Sequence, residues 1–193
     1  MKDVLIGNKV YIRPVEREDL NQRVDWINDP EVQATLNYDY PVSRARTEKW
    51  FEAVVLDPVR RDFSVCTLDT EEYIGFCGLL DFSVRERKAE LYATIGAKEF
   101  WRGGFGTDTY RVLVNYGFQE LGLNRIYGYQ LLHNAGAHRV VEKLKWTREG
   151  LLREDLFSHG RLVDRYLVAI LREDWEANAE VYGVSGLSGS GGS

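Results

Sequence analysis

The chain has 193 residues, of which 44% are hydrophobic and 28% charged, a balance that fits one soluble domain able to bury a core unaided. A formal charge of -5 argues against a nucleic-acid partner, and no apolar run reaches the roughly 20 residues that cross a bilayer. Cys66 and Cys77 cannot build a disulfide framework and have no metal-ligand spacing to His133, His138 or His159, while Met1-Lys2-Asp3-Val4 lacks the shape of a secretory signal; a cytoplasmic location with reduced thiols and no metal is expected.

Alternation in Lys9-Val10-Tyr11-Ile12-Arg13 predicts a strand ended by Pro14. Leu20, Val24 and Ile27 then stand at helical spacing within Glu18–Ile27, and Asn28-Asp29-Pro30 breaks that helix. Ser43 has the character of an N-cap for a second helix carrying Trp50, Phe51, Val54 and Val55. Three strands follow at residues 63–68, 73–82 and 89–95, separated by polar turns. A Gly-rich turn, Arg102 to Gly106, opens an amphipathic helix over residues 107–121 with Tyr110, Leu113, Val114 and Phe118 on one face. After it come a strand at 125–131, a helix from about Asn134 to Leu144, and strands at 149–157 and 161–171 joined by the hairpin turn Ser158-His159-Gly160. This order describes an α+β domain, residues 7–178, with one mixed sheet of about seven strands and about four helices. Residues 184–193, nearly all Gly and Ser, read as a flexible tail outside the fold.

The most specific feature is a strand, Glu90-Leu91-Tyr92-Ala93-Thr94-Ile95, followed by Trp101-Arg102-Gly103-Gly104-Phe105-Gly106-Thr107 and a helix. Glycines let the backbone approach an anion, and the first N–H groups of a helix are unpaired donors at the positive end of its dipole, so this unit can cradle phosphate. The glycines would equally serve a tight turn. No Lys-Ser/Thr pair follows them, which excludes a P-loop, and their spacing is not Gly-x-Gly-x-x-Gly, which disfavours a dinucleotide fold.

This loop resembles the Gln/Arg-x-x-Gly-x-Gly/Ala loop of the GNAT acetyltransferases, with Gly104 and Gly106 as its glycines and Trp101 first, as in the RimJ/RimL-like branch. The usual run there is Trp-Gly-Lys-Gly-Tyr-Gly-Thr-Glu-Ala; here Arg102-Gly103 replaces Gly-Lys, and Asp108-Thr109 replaces Glu-Ala. Tyr11-Ile12-Arg13-Pro14 with Glu18-Asp19-Leu20, Trp26 to Val32, Asn124 to Tyr127, Asn134 to Ala137 and Ile170 to Trp175 extend the likeness over nearly the whole domain. The resemblance implies the GNAT fold and acetyl-CoA as co-substrate, and it admits a homodimer. In such enzymes two central strands splay apart and the pantetheine arm enters the gap. By position Ala93, Thr94 and Ile95 would pair with that arm. Trp101, Arg102, Gly103, Gly104, Phe105, Gly106 and Thr107 would hold the pyrophosphate. Asn134 would touch the pantetheine or serve only as a helix N-cap. Ala137 would line the same wall, and Arg139 and Lys143, one turn apart, would face the 3′-phosphate or solvent.

The chemistry implied is attack of an amine on a thioester, with a carboxylate removing the amine proton. Glu90 is the expected base, in the strand where related enzymes place one; its other reading is a cross-strand partner for Arg87 or Lys88. Asp81, Glu31 and Asp39 are further candidates. The family's usual proton donors to the leaving thiolate are absent, since Val141 stands in place of Tyr and Ala137 in place of Ser. Tyr92, Tyr127, Tyr129 and His138 are the substitutes. By the resemblance, members of the branch acetylate N-terminal amines of ribosomal proteins and near relatives acetylate polyamines, amino sugars or antibiotics; the loop Leu36-Asn37-Tyr38-Asp39-Tyr40-Pro41, aromatic and acidic, favours a small cationic amine over a peptide N-terminus. The competing class is a non-catalytic acyl-CoA-binding module.

Overall fold

A computed structural model describes residues 5–36 and 41–184. Among these, eight strands form one sheet. In chain order the elements are β1 (Leu5–Ile6), β2 (Val10–Pro14), α1 (Asp19–Asn28), α2 (Pro30–Gln33), α3 (Arg44–Val54), β3 (Arg61–Thr67), β4 (Tyr73–Ser83) and β5 (Lys88–Ile95). There follow α4 (Phe105–Gln119), β6 (Arg125–Leu131), α5 (Ala135–Lys143), β7 (Thr147–Ser158), β8 (Arg161–Leu171) and α6 (Arg172–Ala177). The sheet order is β1-β2-β3-β4-β5-β6-β8-β7, and every neighbouring pair is antiparallel except β5 and β6. A parallel pair needs a crossover, and α4 supplies it. The expected α+β class with one mixed sheet is what the molecule has.

The expected elements are present with shifted ends. Ser43 caps α3 by accepting from the Arg46 N–H at 3.2 Å. Asp29 ends α1 and caps α2 through Glu31 N and Val32 N, with Pro30 in the first turn, where a missing N–H costs nothing. β7 and β8 turn at His159 (φ +51) and Gly160 (φ +77), the paired left-handed residues that suit a two-residue hairpin. Sequence periodicity passed over β1, α2 and α6, each too short to show a period. It also ended the domain at 178, whereas Tyr182 is buried, donates to the Leu144 carbonyl at 2.6 Å and holds the chain against α4. The Gly/Ser tail lies outside the described residues except for Val184, which packs on the core.

Two side-chain carboxylates fix the layers that flank the site. Asp19 accepts two hydrogen bonds from Arg13, one from Ser64 Oγ and one from the Glu16 N–H, tying α1 to β2 and β3. Burial opposes its ionisation, but Arg13 and the other donors hold its carboxyl below the usual range. Asp108, in the first turn of α4, accepts from Lys9 N and Val10 N and pairs with Arg111. That stitches the helix start to β2, with its charge on the favourable side of the dipole. Leu113, Val114 and Phe118 then bury the inner face of α4 against the sheet, a gain of roughly 2 kcal/mol each.

Candidate active site

β5 and β6 pair only where Lys88, Ala89 and Glu90 meet Arg125, Ile126 and Tyr127. Beyond that β5 stays with β4 as far as Ile95 and β6 stays with β8 as far as Leu131. The two antiparallel halves therefore diverge, and a cleft of about 800 Å³ opens between them. Along its β5 wall the Ile95 carbonyl turns outward and accepts from Trp101 Nε1 at 2.7 Å. Since a strand residue sends its N–H and C=O to one side and the next residue sends them to the other, Ala93 also turns its backbone to the cleft. Thr94 lies between them with its backbone toward Phe76 of β4. Asn134 and Ala137 form the facing wall, and the exposed Arg139 and Lys143 stand at its mouth. Asn134 caps α5 through its Oδ1, which accepts from the Ala137 N–H at 3.0 Å.

The loop before α4 closes the outer end. Gly104 is the N-cap at φ +86, a left-handed backbone that costs a glycine nothing. Arg102 takes φ +64, where a side chain is strained by about 1 kcal/mol. Asp108 N is the first helical donor to find an acceptor, the Gly104 carbonyl at 3.0 Å. Among the described residues none accepts from the N–H of Gly104, Phe105, Gly106 or Thr107. Four free donors at the positive end of a 15-residue helix make an anion site. Gly103 does not share in it, because its N–H goes to the Phe100 carbonyl at 3.4 Å. The Phe105 ring packs edge-on against Phe100 behind the loop. Neither Gly103 nor Phe105 lines the cleft. A cation missed by the sequence reading stands beside the donors: Lys9 brings its Cε to 3.7 Å from where a Gly104 side chain would begin, with its Nζ 5.3 Å above the Phe105 ring. Lys9 also lines a second hollow of about 330 Å³ that continues past Gly104 and Thr107. Nothing in its local sequence marks it, since the approach is made across 95 residues of chain.

Glu90 does not line the cleft itself; it lies beyond its inner end, in register with Tyr127 where the strands part. By alternation it faces the side of the sheet that carries α1 and α3, as does Tyr92, whose ring crosses Gly78 to bond Asp62. A side chain at Gly78 would stand 2.7 Å from that ring. Asp62 is further held by two bonds from Arg60. Glu90 is half-buried and makes no hydrogen bond or ion pair with a described residue. The pairing with Arg87 or Lys88 does not form, and Arg87 donates instead to the Gly122 carbonyl. Burial, then the Asp81 carboxylate, push the Glu90 carboxyl up, against the pull of Arg165 and Arg60. Burial and the charges of Glu90 and Asp81 likewise push Tyr127 up to about 12. Asp81 is exposed at the bulge of β4. Glu31 is taken by Lys98 at 2.7 Å, and Asp39, with the Asn37–Tyr40 loop, lies outside the described residues.

Of the groups considered as proton donors, none lines the cleft. Tyr92 is engaged by Asp62, Tyr127 and Tyr129 share the face of Glu90, and both ring nitrogens of His138 are occupied, by Gln130 Oε1 and the Leu132 carbonyl. Val141 is buried. A tyrosine read from sequence as part of the packing face of α4, Tyr110, does line the cleft. Its ring rests against Trp146 at 5.8 Å, and burial, Glu90 and Cys77 push it up to about 12. No metal-binding cluster and no helix long and apolar enough to cross a membrane occur among the described residues.

Residues 9–147 match the acetyltransferase (GNAT) domain family. The chain is 29% identical over 176 residues to the uncharacterized N-acetyltransferase p20 of Bacillus licheniformis, covering 90% of this chain and 98% of that protein. It is 33% identical over 102 residues to the putative ribosomal N-acetyltransferase YdaF of Bacillus subtilis, covering 53% and 55%. The crystal structure of spermidine N-acetyltransferase from Vibrio cholerae in complex with CoA and spermine superposes with a TM-score of 0.80 at 25% identity, covering 86% of this chain and 97% of that one.

Proposed function

The chain belongs to the GNAT acetyltransferase family and transfers an acetyl group from acetyl-CoA to a primary amine, and we propose that its acceptor is a small polycationic amine of the spermidine type. Acetyl-CoA fits what the residues present: a splayed strand edge with outward backbone groups, four unpaired N–H donors and Lys9 at the outer end. When bound, it supplies the activated acyl carbon. Ala93 and Ile95 would align its amide-bearing arm, the N–H groups of Gly104 to Thr107 its pyrophosphate, and Lys9, Arg139 and Lys143 its remaining negative charge. Trp101 would release the Ile95 carbonyl as the arm takes that place. Thr94, Asn134 and Ala137 would complete the wall.

An alkyl ammonium titrates near 10.4 and must lose a proton before it can attack. Glu90 would accept that proton, directly or through one water, because it stands at the end of the splay with no described residue claiming its oxygens. Its raised pKa brings its basicity nearer to the task.

The acceptor reading rests on the charge that the amine would meet. Glu90 and Asp81 carry no ion pair with a described residue, and they face Tyr127 and Tyr129 on the α1–α3 side. Asp62 and Asp155 nearby are held by Arg60 and Arg165. Two free carboxylates among tyrosine rings suit a compact cation, and the Vibrio cholerae relative binds spermine. The Trp26–Val32 phrase and the Trp101–Thr107 loop, with a relative named for ribosomal acetylation, support a place in the RimJ/RimL-like branch and make a protein N-terminus the second acceptor class.

Thiol release from acetyl-CoA against spermidine, spermine, amino sugars, aminoglycosides and Ala- or Ser-initiated peptides tests this. Turnover is expected first on the polyamines. Turnover confined to peptides would transfer the assignment to N-terminal amines, and CoA binding without release on any amine would make the chain a non-catalytic acyl-CoA module.

A further inference from the structure

We propose that the Tyr110 hydroxyl donates a hydrogen bond to the thiolate of CoA as it departs, from the face of the sheet opposite Glu90. The sequence leaves the thiolate without the family's usual donors, since Val141 is buried and apolar and the side chain of Ala137 has no polar atom. Tyr110 stands on a different helix from both.

Its level in the cleft follows from the packing of α4 on β5. A side chain at Gly106 would begin 3.8 Å from Ile95 Cγ1, so the first turn of the helix lies beside the end of the strand. The chain reverses between the two, and α4 therefore runs back along β5. Four residues of helix advance about 6 Å, close to two residues of strand, which puts Tyr110 level with Ala93. The charges that act on Tyr110 agree, for they come from Glu90 and from Cys77, the register partner of Ala93. Tyr110 thus lies between the phosphate end of the cleft and the point where β5 and β6 join, the stretch in which the sulfur of a cofactor gripped at the loop must sit.

The side chain is placed to bond a ligand. Trp146 holds the ring, the residue lines the cleft, and its hydroxyl makes no hydrogen bond with a described residue. With Glu90 facing α1 and α3 and Tyr110 carried on α4, the incoming amine and the outgoing sulfur use different groups. Once the ammonium proton has passed through Glu90 to water, the N–C bond forms as the C–S bond breaks, the electron pair of the latter goes to sulfur, and the second amine proton goes to Glu90. A thiol titrates near 8.5, well below the value of about 12 to which Tyr110 is pushed, so the tyrosine keeps its proton and stabilises the anion. The thiolate is then protonated from water as Glu90 returns its proton there.

The test follows the thiol of bound CoA, and it rests on the acetyl-CoA reading but needs no acceptor. Thiolate absorbance of the CoA complex, less that of the free protein, would be titrated between pH 6 and 9.5 for wild type and for Tyr110→Phe. The phenylalanine keeps the ring on Trp146, so an unchanged melting temperature is expected. Removing a hydrogen bond to a charged atom is expected to raise the midpoint by about one pH unit, a tenfold loss of thiolate. Equal midpoints with CoA bound to both proteins would overturn the role of Tyr110, whereas failure of CoA to bind wild type would overturn the cofactor reading.

Discussion

At the scale of single residues, function and structure make opposite demands on the carboxylates, and the two kinds separate by their partners. Asp19, Asp62 and Asp108 have buried side chains, hydrogen-bonded by arginines, hydroxyls or backbone N–H groups; each fixes a contact between elements. Glu90 is half-buried with none among the described residues, an arrangement that costs stability and fits the base role proposed for it. Its folded pKa is raised, so the stability linked to its protonation is present at low pH and lost as pH rises through that value. Glu90→Gln is therefore expected to leave the fold at least as stable at pH 7. The same change is expected to lower kcat by about a hundredfold where wild-type Glu90 is ionised, the difference narrowing at the acid end as Glu90 itself takes up a proton. In wild type the acid limb should fall above the ordinary carboxylate value of about 4.3. Paired pH–rate profiles decide this, and superimposable curves would remove Glu90 from the mechanism.

At the scale of elements, the site is the join between a strand end and a helix start. Gly104 adopts a left-handed backbone at the helix start, where four N–H groups find no acceptor among the described residues. A substitution at Gly104 would mix backbone strain with lost binding. Gly106 separates them, since its φ is ordinary and the nearest atom to an added Cβ is 3.8 Å away. Gly106→Val is expected to weaken CoA binding by about tenfold, the equivalent of roughly one cradle hydrogen bond, with little change in melting temperature. Calorimetric titration beside a thermal melt reads both quantities. Unchanged affinity would show that phosphate is held elsewhere.

At the scale of the whole molecule, the sheet is two antiparallel blocks, β1–β5 and β6–β8, joined by three register pairs and by the crossover helix. A ligand lying between β5 and β6 bridges the two blocks and binds only the folded state. CoA at a hundred times its dissociation constant is expected to add about 2.7 kcal/mol of stability, a rise of roughly 5–11 °C for a domain of this size. Differential scanning calorimetry with and without CoA measures it. A melting temperature indifferent to CoA would exclude binding in the splay.

By itself the sequence determined what is local. Period-two and period-3.6 patterns specified the long elements, Ser43 and Asn134 declared their caps, and the glycines of the loop marked the anion cradle, because each depends on residues within a few positions of one another. Elements of two to six residues carry no period, so β1, α2 and α6 became visible only in the packed molecule. Contacts over long separations were decided by the tertiary structure alone. Lys9 reaches Gly104 because Asp108 ties β2 to α4. Glu90 has no partner among the described residues, with Arg60 and Arg165 committed to aspartates. Tyr110 reads as one more apolar-face aromatic until α4 is laid along β5, where the divergence of two strands turns a packing position into the wall of a cleft.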